Sequence, residues 1–180
     1  MSSIQVALDN WFVRHLSPLK VAMRVMFGVL WGIDGALKFQ PGLPDSMVDM
    51  IRDAAQGQPG WLSPWFQFWS QTVSANPAFY VVLTGVVELA LACALILGVL
   101  RKVAYAAGFL LSLVIWSVPE GFGGPYGPGS TDIGTGIAYA FIFLFLMIVN
   151  AAFGPSTLSM DYLIEQRFPS WKKIAEIRSM

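Results

Sequence analysis

From Tyr80 to Leu100 the chain reads YVVLTGVVELALACALILGVL and carries one charge, Glu88. A helix through the hydrocarbon core of a bilayer takes roughly 20 mostly apolar residues. Buried helices of soluble domains seldom stay apolar over that length. Three further stretches share the character, so spans are expected at Leu19–Phe39, Ala78–Leu100, Val103–Val118 and Ile133–Phe153. The third is short and draws on its flanks. Composition agrees: 56% of the 180 residues are hydrophobic and 12% are charged, about half the charged share of a soluble domain. The expected fold is all-α. It is an integral membrane four-helix bundle in one domain, residues 1–180, with interfacial helices and a glycine-rich outer loop.

Met1–Leu16 is not expected to be a signal peptide, because Asp9 and Arg14 interrupt it and no small-residue cleavage site follows. Ile4, Leu8 and Trp11 instead recur at helical spacing, which suits a short helix in the headgroup region. The C-terminal YLIEQRFPSWKKIAEI, with aromatics beside lysines, has the same character, and plain surface tails are the alternative for both segments. Arg14, Lys20, Arg101, Lys102, Arg167, Lys172, Lys173 and Arg178 all fall before span one, between spans two and three, or after span four. The other two loops hold only Arg52. Basic loops stay cytoplasmic. Both termini are therefore expected in the cytoplasm of a prokaryotic cell, with the Gln40–Pro77 loop and the glycine-rich loop outside.

Several chemistries are excluded. Cys93 is the only cysteine, so no intrachain disulfide or CxxC pair can form. His15 is the only histidine, which removes a bis-histidine haem and any histidine-rich metal site. There is no Walker or dinucleotide fingerprint, and nothing indicates a flavin. A net charge of zero without a basic stripe argues against nucleic acid.

Four ionisable residues lie inside the spans: Arg24, Asp34, Lys38 and Glu88. Each costs roughly 2.5–3.5 kcal/mol at mid-helix on insertion scales. At helical spacing Arg24, Gly28, Trp31, Gly35 and Lys38 share one face, while Gly85, Glu88 and Ala92 share a stripe on the second span. Small residues let helices approach closely, and buried charges need partners. The expected arrangement turns Arg24 and Glu88 inward as an ion pair, serving either to fix register or to handle protons or face a substrate. Asp34 and Lys38, four residues apart, form a second pair near the outer interface.

The stretch EGFGGPYGPGSTDIGTG, Glu120 to Gly136, is longer than a link between adjacent helices requires. Irregular backbone at membrane depth must be covered by protein or line a watery cavity, so this loop is expected to fold over the outer end of the bundle. Ser130, Thr131 or Asp132 is positioned to cap the fourth helix. Read functionally, Trp116, Glu120, Tyr126, Asp132 and Tyr139 line an aromatic, acidic mouth. It would suit a neutral, proton-exchanging ligand such as a quinol headgroup better than an anion. Trp61, Trp65, Phe68 and Trp69 in the other loop read as an aromatic belt helix or as a docking surface for another subunit.

RVMFGVLWGIDGALKF, Glu88 and EGFGGPYGPGSTDIG together resemble the DoxX/DoxD-like membrane proteins over most of the chain. The resemblance implies a four-helix membrane protein. It also implies a part in moving electrons from a sulfur compound such as thiosulfate to quinone, as in thiosulfate:quinone oxidoreductase, beside a second, DoxA-like subunit. Quinone is then a substrate, and no catalytic residue carries over. The alternative is a membrane anchor or assembly protein whose charges are structural; homo-oligomers fit either reading. A channel is not expected, because four spans leave no polar path.

Overall fold

The structure is a computed structural model describing residues 3–126, 132–154 and 156–177, with side chains from residue 17 onward. Among the described residues it is all-helical, with eight α-helices: α1 (Ser3–Leu37), α2 (Leu43–Ala54), α3 (Ser63–Ala75), α4 (Pro77–Leu97), α5 (Arg101–Ser117), α6 (Thr135–Phe153), α7 (Met160–Arg167) and α8 (Lys172–Ala175). Two of them, α4 and α6, are long and apolar enough to cross a membrane, at mean hydropathies of 2.3 and 2.2. Only 33% and 28% of their apolar windows are buried inside the chain. A soluble core helix would be mostly covered.

Local chemistry sets the helix ends. Asn76 accepts the Phe79 amide through its side chain at 3.2 Å, and Pro77 opens α4 where its missing N–H costs nothing. Gly98 ends α4 in the left-handed conformation, at φ 68°. The short helix expected at the N-terminus does not stand apart, because the α1 backbone continues through Pro18 to Leu37. The side chains of Ile4, Leu8 and Trp11 lie outside the described residues.

Small residues decide which helices pair. A Cβ on Gly28 would come within 2.9 Å of Leu95 and Ile96, and one on Gly35 within 3.0 Å of Glu88. These contacts clamp α1 antiparallel to α4. On the other side Gly136 lies against the α5 backbone, where a Cβ would meet the Ser112 carbonyl at 2.8 Å. Gly108 accommodates the Phe143 ring. The two tight pairs, α1 with α4 and α5 with α6, meet over one core. That core comprises Phe27 and Trp31, Leu91 and Leu95, Ala104 and Tyr105, and Phe143 and Leu146.

The 40–77 segment is not an open loop. Val48, Ile51 and Val73 bury against Val118, so that α2 and α3 sit on the end where α1 finishes and α4 begins, called here the loop end. Trp65 donates to the Ser117 carbonyl at 3.0 Å. Trp65, Phe68 and Trp69 ride on α3, whereas Trp61 precedes it in a 3-10 turn and is 77% exposed. The opposite, turn end carries the Gly98–Arg101 turn with α7 and α8 packed against it.

Candidate functional site: a cleft with a buried carboxylate

At the loop end a cleft of ≈ 400 Å³ lies among α1, α2, α4, α5 and α6. Its polar lining is Asp34, Lys38, Thr84, Glu88, Glu120, Thr135 and Tyr139, and its apolar lining includes Leu30, Ile33, Leu37, Met47 and Met50. Leu30, Ile33 and Leu37 are also exposed on the outer surface of α1, so the cleft adjoins the apolar exterior. Lys38 is the hinge of its charges. Its ammonium lies 2.9 Å from Asp34 Oδ1 and 3.6 Å from Glu88 Oε2.

Glu88 is fully buried, and neither carboxylate oxygen has a hydrogen-bond partner. Nearly all buried polar groups in native proteins are bonded, so an exception calls for a reason. An ionised carboxylate accepts, and a protonated one also donates. Glu88 stands at the wall of the cleft, beside the Lys38 ammonium.

The expected Arg24–Glu88 pair is not formed. The glycine contacts set a register in which Glu88 lies level with Gly35, while Arg24 lies against Gly98. Ten residues separate those levels on α4, about 15 Å at 1.5 Å per residue. Lys38 takes the place foreseen for Arg24, joining Asp34 and Glu88 in one group. Arg24 is buried at the turn end, where its Nη2 donates to the Leu158 carbonyl at 3.0 Å.

Of the five residues expected at the mouth, the structure brings Glu120 and Tyr139 to the cleft. Trp116 turns its Nε1 to the Ile133 carbonyl at 2.8 Å and its ring edge to Phe122. Tyr126 is exposed, with its hydroxyl donating to the Phe122 carbonyl. Asp132 is exposed and, among the described residues, accepts the nearby Gly134 amide at 2.9 Å. Ser130 and Thr131 lie outside the described residues. The cap on α6 comes from elsewhere: Glu120 Oε2 accepts the Gly136 amide at 2.8 Å. Sixteen residues upstream, it was invisible to a rule that searches beside the helix.

Phe122 was missed as well. It adopts the left-handed conformation, φ 60°, which is uncommon outside glycine. Its ring is clamped among Trp65, Phe66 and Trp116 at centroid distances of 6.5, 6.3 and 5.2 Å. Gln58 ties the same turn down, donating to the Gly121 carbonyl at 2.7 Å. The flanking glycines of GFGG were the available signal. The start of the loop is thus fastened to the 40–77 cap, as expected of a segment folded over the helix ends.

Glu120 therefore has a structural duty that can be measured. Glu120→Ala should cost ~0.5–2 kcal/mol, the usual value of a helix cap, whereas Asp132→Ala should change stability by less. Thermal unfolding in detergent compares them, and equal losses would refute the assignment of the cap to Glu120.

The turn end holds a second charge cluster that the sequence reading did not find. Arg101, 2% exposed, is ringed by Asp161 at 3.0 Å, Glu165 at 3.5 Å and Glu176. Asp161 also accepts the Leu100 and Arg101 amides at 2.8 and 3.0 Å and the Trp171 indole N–H at 2.8 Å. These bonds hold Leu100 in its left-handed conformation, φ 52°. The C-terminal segment is not simply a strip of aromatics and lysines, because its acids turn back onto α5. Asp161 and Glu165, spaced by one helical turn, were the legible half of this signal. Among the described residues no group of three or more His, Cys, Asp or Glu side chains is arranged to hold a metal ion. Comparison with family models, with curated proteins and with solved structures gives no match.

Proposed function

We propose that the protein is a multi-pass membrane subunit of a redox complex and that its loop-end cleft receives the headgroup of a quinone. The carrying observation is Glu88, fully buried at the wall of the cleft, with neither oxygen hydrogen-bonded and one in an ion pair with the Lys38 ammonium at 3.6 Å. A quinone carbonyl is an acceptor suited to Lys38, and a quinol hydroxyl is a donor suited to Glu88. The exposed leucine and isoleucine rim suits the isoprenoid tail. Reduction of a quinone takes up two electrons and two protons. In this reading Glu88 passes protons to the ring oxygens, and the electrons come from a sulfur compound such as thiosulfate, oxidised by a second, DoxA-like subunit.

The membrane part of the reading rests on exposed apolar surface. Phe79, Val82, Val86 and Ile96 on α4 and Phe141, Phe145 and Ile148 on α6 are all exposed, bare apolar surface of the kind that marks contact with lipid or protein. With α1 and α5 as further spans the protein is a four-helix membrane bundle, and the loop charges put both termini in the cytoplasm.

The test is quinone binding by protein purified from membranes in mild detergent, read by tryptophan quenching with a water-soluble quinone analogue. Glu88→Gln and Lys38→Met should each weaken binding by about tenfold or more, the loss of one charge-assisted hydrogen bond. Circular dichroism controls for folding. Wild-type protein that does not bind, or Glu88→Gln protein that binds normally, would overturn the proposal. A second reading, a membrane anchor with purely structural charges, is favoured by the Arg101 cluster, whose groups are all committed to one another. It expects quinone to be irrelevant and partner subunits to be lost when that cluster is broken.

A further inference from the structure

The seam between α1 and α6 is plugged at its middle by aromatic rings: Phe27 stands against Phe143 at 4.8 Å and Tyr139 at 5.3 Å, and Trp31 against both. The seam opens on either side of this plug. Towards the loop end lies the cleft. Towards the turn end lies a small notch of ≈ 10 Å³, lined by Lys20, Arg24, Arg101, Tyr105, Asn150 and Ser156. That is room for a single water-sized atom.

The three cations of the notch are not equivalent. The charge of Arg101 is met by Asp161, Glu165 and Glu176. Asn150 is also committed, donating to Glu176 at 3.3 Å. Among the described residues the hydrogen-bond partners of Lys20 and Arg24 are neutral, the carbonyls of Gly154 at 2.7 Å and Leu158 at 3.0 Å. Neither has a carboxylate within ion-pair distance among the described residues. Arg24 is 4% exposed, and its Nε–H is buried with no acceptor. A buried guanidinium with an unmet donor lines a notch of one-atom size, beside a second cation that has no carboxylate partner among the described residues, and the pair suits an anionic oxygen.

We propose that Lys20 and Arg24 form a phosphate-binding site, with one phosphate oxygen seated in the notch and the rest of the group at its mouth. The notch is too small for a whole phosphate, which favours a headgroup whose remaining mass stays in the bilayer. Met23 and Met26 on α1 and Ile148 on α6, the helices that flank the notch, are exposed, and such apolar surface suits acyl chains. This lipid source rests on the membrane reading above, in which Lys20 lies at the cytoplasmic face, the side of anionic headgroups. The binding chemistry does not depend on it.

The experiment uses full-length protein in a neutral detergent and phosphate-free buffer, titrated separately with phosphatidylglycerol, phosphatidylcholine and inorganic phosphate. Thermal midpoint and native mass spectrometry are the readouts. Phosphatidylglycerol should raise the midpoint and remain bound, more than phosphatidylcholine does. Lys20→Gln, at a half-buried position, should weaken that binding about tenfold, for one charge-assisted hydrogen bond lost, and Lys20→Arg should keep it. Arg24→Lys, which retains the charge but loses the Nε–H, should bind less tightly than wild type. A response to phosphatidylglycerol alone assigns the site to lipid; a response to inorganic phosphate as well assigns it to the phosphate group itself. No response to either, or equal responses in wild type and Lys20→Gln, overturns the proposal. Quinone binding measured on the same preparations separates this outcome from failure at the loop-end cleft.

Discussion

Arg101→Ala should remove ~3–5 kcal/mol of stability, the usual cost of breaking a buried ion pair from one side. The substitution leaves Asp161, Glu165 and Glu176 buried, at 0%, 7% and 5% exposure, without their shared cation. Asp161 keeps the Leu100 and Arg101 amides and the Trp171 indole, so the heaviest loss falls on Glu165 and Glu176. The C-terminal helices should then detach from α5, since their acids hold them there. Arg101→Lys should fall between the two, because an ammonium keeps the charge but cannot reproduce the fork of a guanidinium. Denaturant unfolding in detergent measures the loss, and protease sensitivity near Arg167 reports the detachment. A loss under about 1 kcal/mol, the range of a surface ion pair, would show that the cluster is not a working part of the fold.

The same cluster makes stability depend on pH. Burial, together with the hydrogen bond and the charge of Glu176, raises the Glu165 carboxyl to about 7 from an ordinary value of 4.5, with Arg101 opposing the shift. A carboxyl whose native value is raised holds its proton more tightly folded than unfolded. Between about 4.5 and about 7 the native state therefore binds more protons, and stability falls as pH rises through that window. The contribution is complete below the unfolded value and lost above the native one, and it amounts to roughly 3 kcal/mol at most. Unfolding midpoints taken across the window should decline with pH. Glu165→Gln, permanently neutral, should flatten the decline and be the more stable protein on the alkaline side. An unchanged slope in that variant would place the titration on another group.

Much of the helix layout could be read from the chain itself. Hydropathy and turn chemistry are local: Asn76–Pro77 opens α4, Gly98 closes it, and α5 and α6 fall within a few residues of the expected stretches. The presence of charges in apolar segments was equally plain. Which charge meets which was not. Arg24 and Glu88 were matched on sign and burial, yet pairing depends on helix register. Register is set by where Gly28 and Gly35 let α4 approach α1, a steric fit between residues some sixty apart. The same limit hid Glu120 as the cap of α6 and the three acids that converge on Arg101. Composition and periodicity act through neighbours along the chain and determine which segments are helical and which faces are apolar. The placement of a carboxylate opposite a lysine, a backbone amide or a cleft depends on contacts between distant segments, and only the packed tertiary structure decides it.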